Sequence, residues 1–138
     1  MSKVFILYRS FFDLNGDSYT VGGIQTYIRQ LVQVVHKRNQ IPIIVQFADR
    51  HFNKKYNGFD VYGVDVKGQR RERDKSKTLL KFIKCKFEIG DSIIFATDDI
   101  FVPSFTENVV AIQHGISWDI TQSKHRYKLL ILEVLRKA

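Results

Sequence analysis

The sequence predicts an α/β domain in which a mostly parallel β-sheet carries helices on both faces. Three observations predict it. Short, continuous apolar runs rich in β-branched and aromatic residues recur along the chain, as strands buried on both faces require. Segments with apolar residues at helical spacing lie between several of these runs, as parallel connections require. The composition is that of a folded domain, with 44% hydrophobic and 26% charged residues over 138 positions. That length suits one domain with a real core, spanning residues 1–138.

Lys3–Tyr8, KVFILY, is the first buried strand. The segment SFFDLNGDSYTVGG then turns polar, with Asn15-Gly16 as turn chemistry. Ile24, Tyr27, Ile28, Leu31 and Val35 share one helical face and Arg29, Gln33 and Lys37 the other, which predicts a helix over 24–38. Lys37 and Arg38 suit its carboxyl end, where the helix dipole favours cations. Asn39 takes the left-handed capping position that glycine more often fills. Ile41–Phe47, IPIIVQF, is the second strand, with Pro42 at its start, where a missing N–H costs least. Residues 48–58 read as a polar loop, and the alternation of Phe59–Val66, FDVYGVDV, predicts a third strand. A charged loop over 67–75 leads to a helix over 76–88 with Leu79, Leu80, Ile83 and Phe87 on its apolar face. After the Gly90-Asp91 turn, Ser92–Thr97 and Asn108–Gln113 read as buried strands. A last helix over 123–137 carries Tyr127, Leu130, Ile131, Val134 and Leu135. Doubly wound sheets place a strand after such a helix. The native chain is therefore expected to continue past Ala138, and the open sheet edge to favour self-association.

The net charge is +8, and residues 67–86 hold nine Lys or Arg against Glu72 and Asp74. The basic character is thus a local patch, which points to an anionic partner at one place. If the second helix begins early, Arg73, Lys77, Lys81 and Lys84 stack along one face. The commonest reading of such a stripe is a solvated helix surface. The sharper ones are contact with anionic lipid headgroups, an anionic acceptor, or nucleic acid. The aromatics lie in the core runs and are not interleaved with the stripe, which weighs against nucleic acid. The single Cys85 excludes an internal disulfide and a cysteine-based zinc cluster, reads as a structural thiol, and makes a reducing compartment the default. The absence of an apolar run of membrane-spanning length or a signal-peptide pattern predicts a cytoplasmic protein. His36, His51 and His125 show no metal-ligand spacing, so no metal is expected.

Ligands of parallel α/β sheets sit at the carboxyl ends of the strands, and three features collect there. Gly22-Gly23 precedes a helix, where close backbone approach and free N–H groups suit a phosphate. There is no GxGxxG and no Walker lysine, so a dinucleotide fold and a P-loop are both disfavoured. His114-Gly115 follows a buried strand. Its imidazole is suited to bond a sugar hydroxyl or a phosphate, or to move a proton, and the plainer reading is a strand cap. Nearby, Trp118 either stacks on a ligand or packs, with Asp119 beside it. The third feature is Asp98-Asp99, adjacent carboxylates that alternate sides and so form no catalytic pair. Orienting a ligand hydroxyl is one role for them, and capping a turn is the commoner one.

GGIQTYIRQLVQVVHKRNQIPIIVQF resembles the first helix and second strand of GT-B glycosyltransferases of the large retaining family 4 type. NVVAIQHGISWD resembles the segment in which their N-terminal domain presents a strand followed by His-Gly. The resemblance covers nearly the whole chain in order of elements. It implies a Rossmann-like, three-layer half of a GT-B fold, the acceptor-side domain. The implied activity is transfer of a sugar from a nucleotide-sugar to a saccharide or lipid-linked acceptor without metal or other cofactor, in bacterial surface-polysaccharide synthesis at the inner face of the plasma membrane. By resemblance Gly22 and Gly23 face the donor diphosphate, His114 serves catalysis at the sugar, and Trp118, Asp119 and Asp98 shape the acceptor side. The family's second, donor-binding domain has no counterpart in these 138 residues, so the fragment alone is expected to be inactive. The alternative is a non-catalytic α/β binding module that meets an anionic membrane or nucleic acid through residues 67–86.

Overall fold

The structure is a computed structural model and describes residues 1–113. The elements are β1 (Lys3–Tyr8), α1 (Gly23–Lys37), β2 (Ile41–Ala48), β3 (Phe52–Tyr56), β4 (Phe59–Asp65), α2 (Glu72–Lys84), β5 (Ser92–Phe95), a 3₁₀ turn (Asp98–Ile100) and β6 (Val109–Ala111). They build one six-stranded sheet in the order β3-β4-β2-β1-β5-β6. Only β3 runs antiparallel, against β4. Counting the parallel strands alone, the order is third, second, first, fourth, fifth, the doubly wound, Rossmann-like arrangement. The winding reverses between β1 and β5.

Strand β1 shows why its residues are apolar on both sides. Val4 and Ile6 join a cluster with Ile28, Leu31, Val32 and Val35 of α1. Phe5 and Leu7 join a second cluster with Leu79, Leu80 and Ile83 of α2. The two helices therefore cover opposite faces. Right-handed crossovers require this, because α1 links β1 to β2 in one direction along the sheet and α2 links β4 to β5 in the other. Truncating a core contact such as Ile83, which is fully buried, to alanine costs about 2–5 kcal/mol.

The structure corrects several boundaries. Residues 48–58 are not all loop, since they contain β3, a short strand hairpinned onto β4. Asn57 (φ 49°) and Gly58 (φ 85°) both have positive φ, as the two-residue turn that matches strand twist demands. The exposed run Asn53-Lys54-Lys55 hides the strand from a hydrophobicity reading. Phe52 pairs with Gly63 across the hairpin, and a Cβ at residue 63 would lie 2.1 Å from the Phe52 ring. Helix α2 begins four residues earlier than the apolar spacing indicates. Glu72 and Asp74 fall in its first turn, where acids complement the dipole. It also ends earlier, so Cys85 is its exposed C-cap and not a mid-helix thiol. Asp91 organises the following turn, accepting from the Lys3 N–H at 2.8 Å and the Glu88 N–H at 2.9 Å, with the Lys3 ammonium 3.0 Å away. Arg38 caps α1 and Asn39 follows in the left-handed conformation, φ 59°. The helix expected over 123–137 lies outside the described residues.

Candidate functional site

The carboxyl edge of the sheet is built on one buried amide. Gln46 points from β2 into the loop after β1 and is fully buried. Its Oε1 accepts from the Phe11 N–H at 2.9 Å and the Phe12 N–H at 2.7 Å. Its Nε2 donates to the carbonyls of Phe12 at 3.1 Å and Phe47 at 2.9 Å. Further fasteners act on the same loop. Gln25 Nε2 donates to the Ser10 carbonyl at 3.0 Å, and Arg29 donates to the Thr20 carbonyl at 3.1 Å while lying 5.3 Å from the centre of the Phe11 ring. The Asp13 carboxylate accepts from the Asp17 N–H at 2.9 Å and the Ser18 hydroxyl at 3.1 Å. These bonds, led by that from Asp17, hold its carboxyl below the usual range. A lone glutamine in the run IPIIVQF was the available signal for this anchor, because a buried amide must find partners.

Arg9, the first residue past β1, ties three elements together. Its Nε donates to Glu72 Oε1 at 2.7 Å and its Nη2 reaches Glu72 Oε2, at the start of α2. The same Nη2 lies 2.6 Å from Asp99 Oδ2, in the turn after β5. The bridge thus spans β1 and β5, where the sheet winding reverses. Glu72 first, and Asp99 with it, raises the pKa of the guanidinium. For Asp99 itself, burial pushes the carboxyl up, and hydrogen bonds, that from Arg9 first, together with the Arg9 charge more than offset it, leaving the group below its ordinary value.

Beside this bridge an open cleft of about 470 Å³ runs along the ends of β1, β2 and β4. Arg9, Ser10 and Leu14 form one wall, and Phe47, Ala48 and Asp49 at the end of β2 form the middle. Val66, Lys67, Gly68 and Gln69, with Glu72 and Lys75 of α2, form the other wall. Among the described residues the ammonium group of neither Lys67 nor Lys75 has a carboxylate partner. Lys75 Nζ lies 5.7 Å from the centre of the Phe47 ring. The lining holds no histidine or cysteine. It sets cations, carboxylates, an amide and a hydroxyl beside apolar residues. Sequence reasoning did not single out Arg9 or Gln46, because each owes its role to contacts distant in the chain, and it read Lys67 and Lys75 only as part of the basic segment 67–86.

No family model, curated protein or solved structure matches this chain. Among the described residues no group of His, Cys, Asp or Glu is placed to hold a metal ion, and no helix is long and apolar enough to cross a membrane.

The residues singled out from the sequence are dispersed. Gly22 is the N-cap of α1 and Gly23 its first residue, with no side-chain cap and no acid in the first turn. A Cβ at Gly22 would come 2.5 Å from Gln25 Oε1, whereas one at Gly23 would meet nothing within 4 Å. Gly22 therefore has a packing reason to be glycine, and Gly23 leaves an open approach to the helix end. Neither lines the cleft. Asp98 is exposed in the 3₁₀ turn, outside the cleft, and its neighbour Asp99 is the one that meets Arg9. Arg73, Lys77, Lys81 and Lys84 all lie within α2 and are exposed, and none joins an ion pair among the described residues. His114, Trp118 and Asp119 lie outside the described residues.

Proposed function

We propose that this chain is the acceptor-side domain of a GT-B glycosyltransferase, a three-layer Rossmann-like half that works with a donor-binding domain. The observation that supports this best is the doubly wound strand order with an open cleft along its carboxyl edge, the place where such sheets take ligands. The uncapped start of α1 behind Gly22 and Gly23 adds a second support, since free N–H groups and the positive dipole end stabilise a departing diphosphate. In the transfer, an acceptor hydroxyl bonds to the anomeric carbon of a nucleotide-sugar as the bond to the diphosphate breaks. His114 acts at the transferred sugar, while Trp118, Asp119 and Asp98 shape the acceptor side. The reaction needs no metal in this reading, and the acceptor is a saccharide or lipid-linked saccharide at the cytoplasmic face of the membrane.

The test uses protein isolated from its source cells, offered labelled nucleotide-sugars together with saccharide and lipid extracts of the same cells. Label should pass to an acceptor. Gly23→Val and His114→Ala should each slow transfer by roughly a hundredfold, the scale of losing one preorganised transition-state contact, without moving the unfolding midpoint. Transfer to no acceptor, or full activity in both variants, overturns the reading.

A second reading rests on the exposed cations Arg73, Lys77, Lys81 and Lys84, none of which joins an ion pair among the described residues. It makes the chain a binding module for an anionic lipid surface. Sedimentation with phosphatidylserine-containing vesicles should then be lost in a Lys77→Glu, Lys81→Glu, Lys84→Glu variant, and unchanged binding would dismiss it.

A further inference from the structure

We propose that the carboxyl-edge cleft binds a saccharide carrying an anionic group, a carboxylate or a phosphate. The anionic group sits between Lys67 and Lys75, and the sugar hydroxyls meet Asp49. This deepens the acceptor-side reading and rests on it for calling that sugar the acceptor.

The argument starts from which charges in the cleft are already committed. Arg9 is bound by Glu72 through two of its nitrogens and by Asp99, so these three groups are committed to one another, with one negative charge in excess. The ammonium groups of Lys67 and Lys75 remain, with no carboxylate partner among the described residues. They project from opposite ends of one wall, the β4–α2 loop and the first half of α2. Two lysines lining one cleft favour a ligand with an anionic group, through charge-assisted hydrogen bonds. Asp49 is the other uncommitted ion of the lining. A single carboxylate beside two cations does not make a cation site. It is a strong acceptor for hydroxyl donors, which a sugar presents in numbers.

The floor supports the same ligand. Phe47, Ala48 and Val66 are buried, and Leu14, 44% exposed, gives the C–H face of a sugar ring its apolar contact. The cleft's volume, about 470 Å³, lies within the ~300–1,000 Å³ range of small-molecule sites. Nucleic acid fits less well, because the one aromatic ring of the lining, Phe47, is only 4% exposed and offers no stacking face.

The experiment titrates the 138-residue chain, by calorimetry and by backbone amide shifts, with glucuronate, glucose 6-phosphate, glucose and inorganic phosphate. One or both anionic sugars should bind at least tenfold more tightly than glucose and than free phosphate, with shifts at residues 47–49 and 66–69. Which of the two binds tells carboxylate from phosphate. Lys67→Gln with Lys75→Gln should abolish that preference, and Lys67→Arg with Lys75→Arg should retain it and so guard against a folding artefact. Asp49→Asn should weaken both sugars and leave inorganic phosphate unchanged. Equal binding of glucose and its anionic derivatives, or preference that survives in the glutamine double variant, overturns the proposal. Its failure is separable from that of the glycosyltransferase reading. Transfer to neutral acceptors without acidic-sugar binding removes the proposal alone, whereas acidic-sugar binding by a protein that transfers nothing removes the reading alone.

Discussion

The two loops that wall the cleft are held in opposite ways. The loop between β1 and α1 is fastened from beneath, where Gln46 makes four hydrogen bonds to backbone or its own strand, and Gln25 and Arg29 add two more. The loop between β4 and α2 has fewer fasteners, the Lys67 N–H to Asp65 Oδ1 at 2.9 Å, the Gln69 N–H to the Val66 carbonyl at 3.1 Å and the exposed Gln69 Nε2 to the Thr78 hydroxyl at 2.9 Å. It turns through Gly68 at φ 91° and leaves residues 67–71 exposed. The first loop uses its polar groups to define the fold, and the second leaves its cations available. A recognition site on a rigid scaffold needs both.

The largest expected effect falls on the fastened loop. Gln46→Leu strands the Phe11 and Phe12 N–H groups in a buried place, and should cost about 3 kcal/mol or more in denaturant unfolding. A loss below about 1 kcal/mol would mean that the loop does not depend on this amide. Next comes Gly68→Ala in the other loop. Nothing lies within 4 Å of the added carbon, so the cost is that of the left-handed backbone alone, about 1 kcal/mol. A much greater cost would show that this loop is also packed from beneath.

Arg9 joins the two loops through Glu72, and the partners are half-exposed, so Arg9→Met should cost only about 1 kcal/mol. Its sharper signature is in pH. Asp99 has a lowered pKa, so its contribution is fully present above the ordinary value of 3.8 and is lost as pH falls through its lower folded value. Stability measured across that acid range should fall less steeply in Arg9→Met than in the unmodified protein, and identical slopes would remove the bridge from the account. The smallest effect belongs to Lys67→Gln with Lys75→Gln, which should change stability by no more than about 0.5 kcal/mol. A substantial loss in thermal or denaturant unfolding would make these lysines structural and end the contrast between the loops.

The parts of the molecule that were legible in the sequence share a physical cause. Strand β1, the helix over 23–37 and the left-handed Asn39 follow from local apolar periodicity and backbone preference, which neighbouring residues alone determine. Strand β3 was missed because its exposed face reads Asn53-Lys54-Lys55, and it pairs through the Asn57-Gly58 turn and not through apolar content. The early start of α2 was missed because its first turn is charged, and only Ser76, Leu79, Leu80 and Ile83 reach the core.

The sequence by itself therefore determined the fold class, the position of most buried elements, and the concentration of positive charge in residues 67–86. Only the tertiary structure decided the strand order and which charges are already paired among the described residues. Arg9 and Glu72 are 63 positions apart, and Gln46 meets Phe11 across 35. Whether a polar group is satisfied depends on partners brought together by the assembled sheet, and no local pattern encodes that neighbourhood.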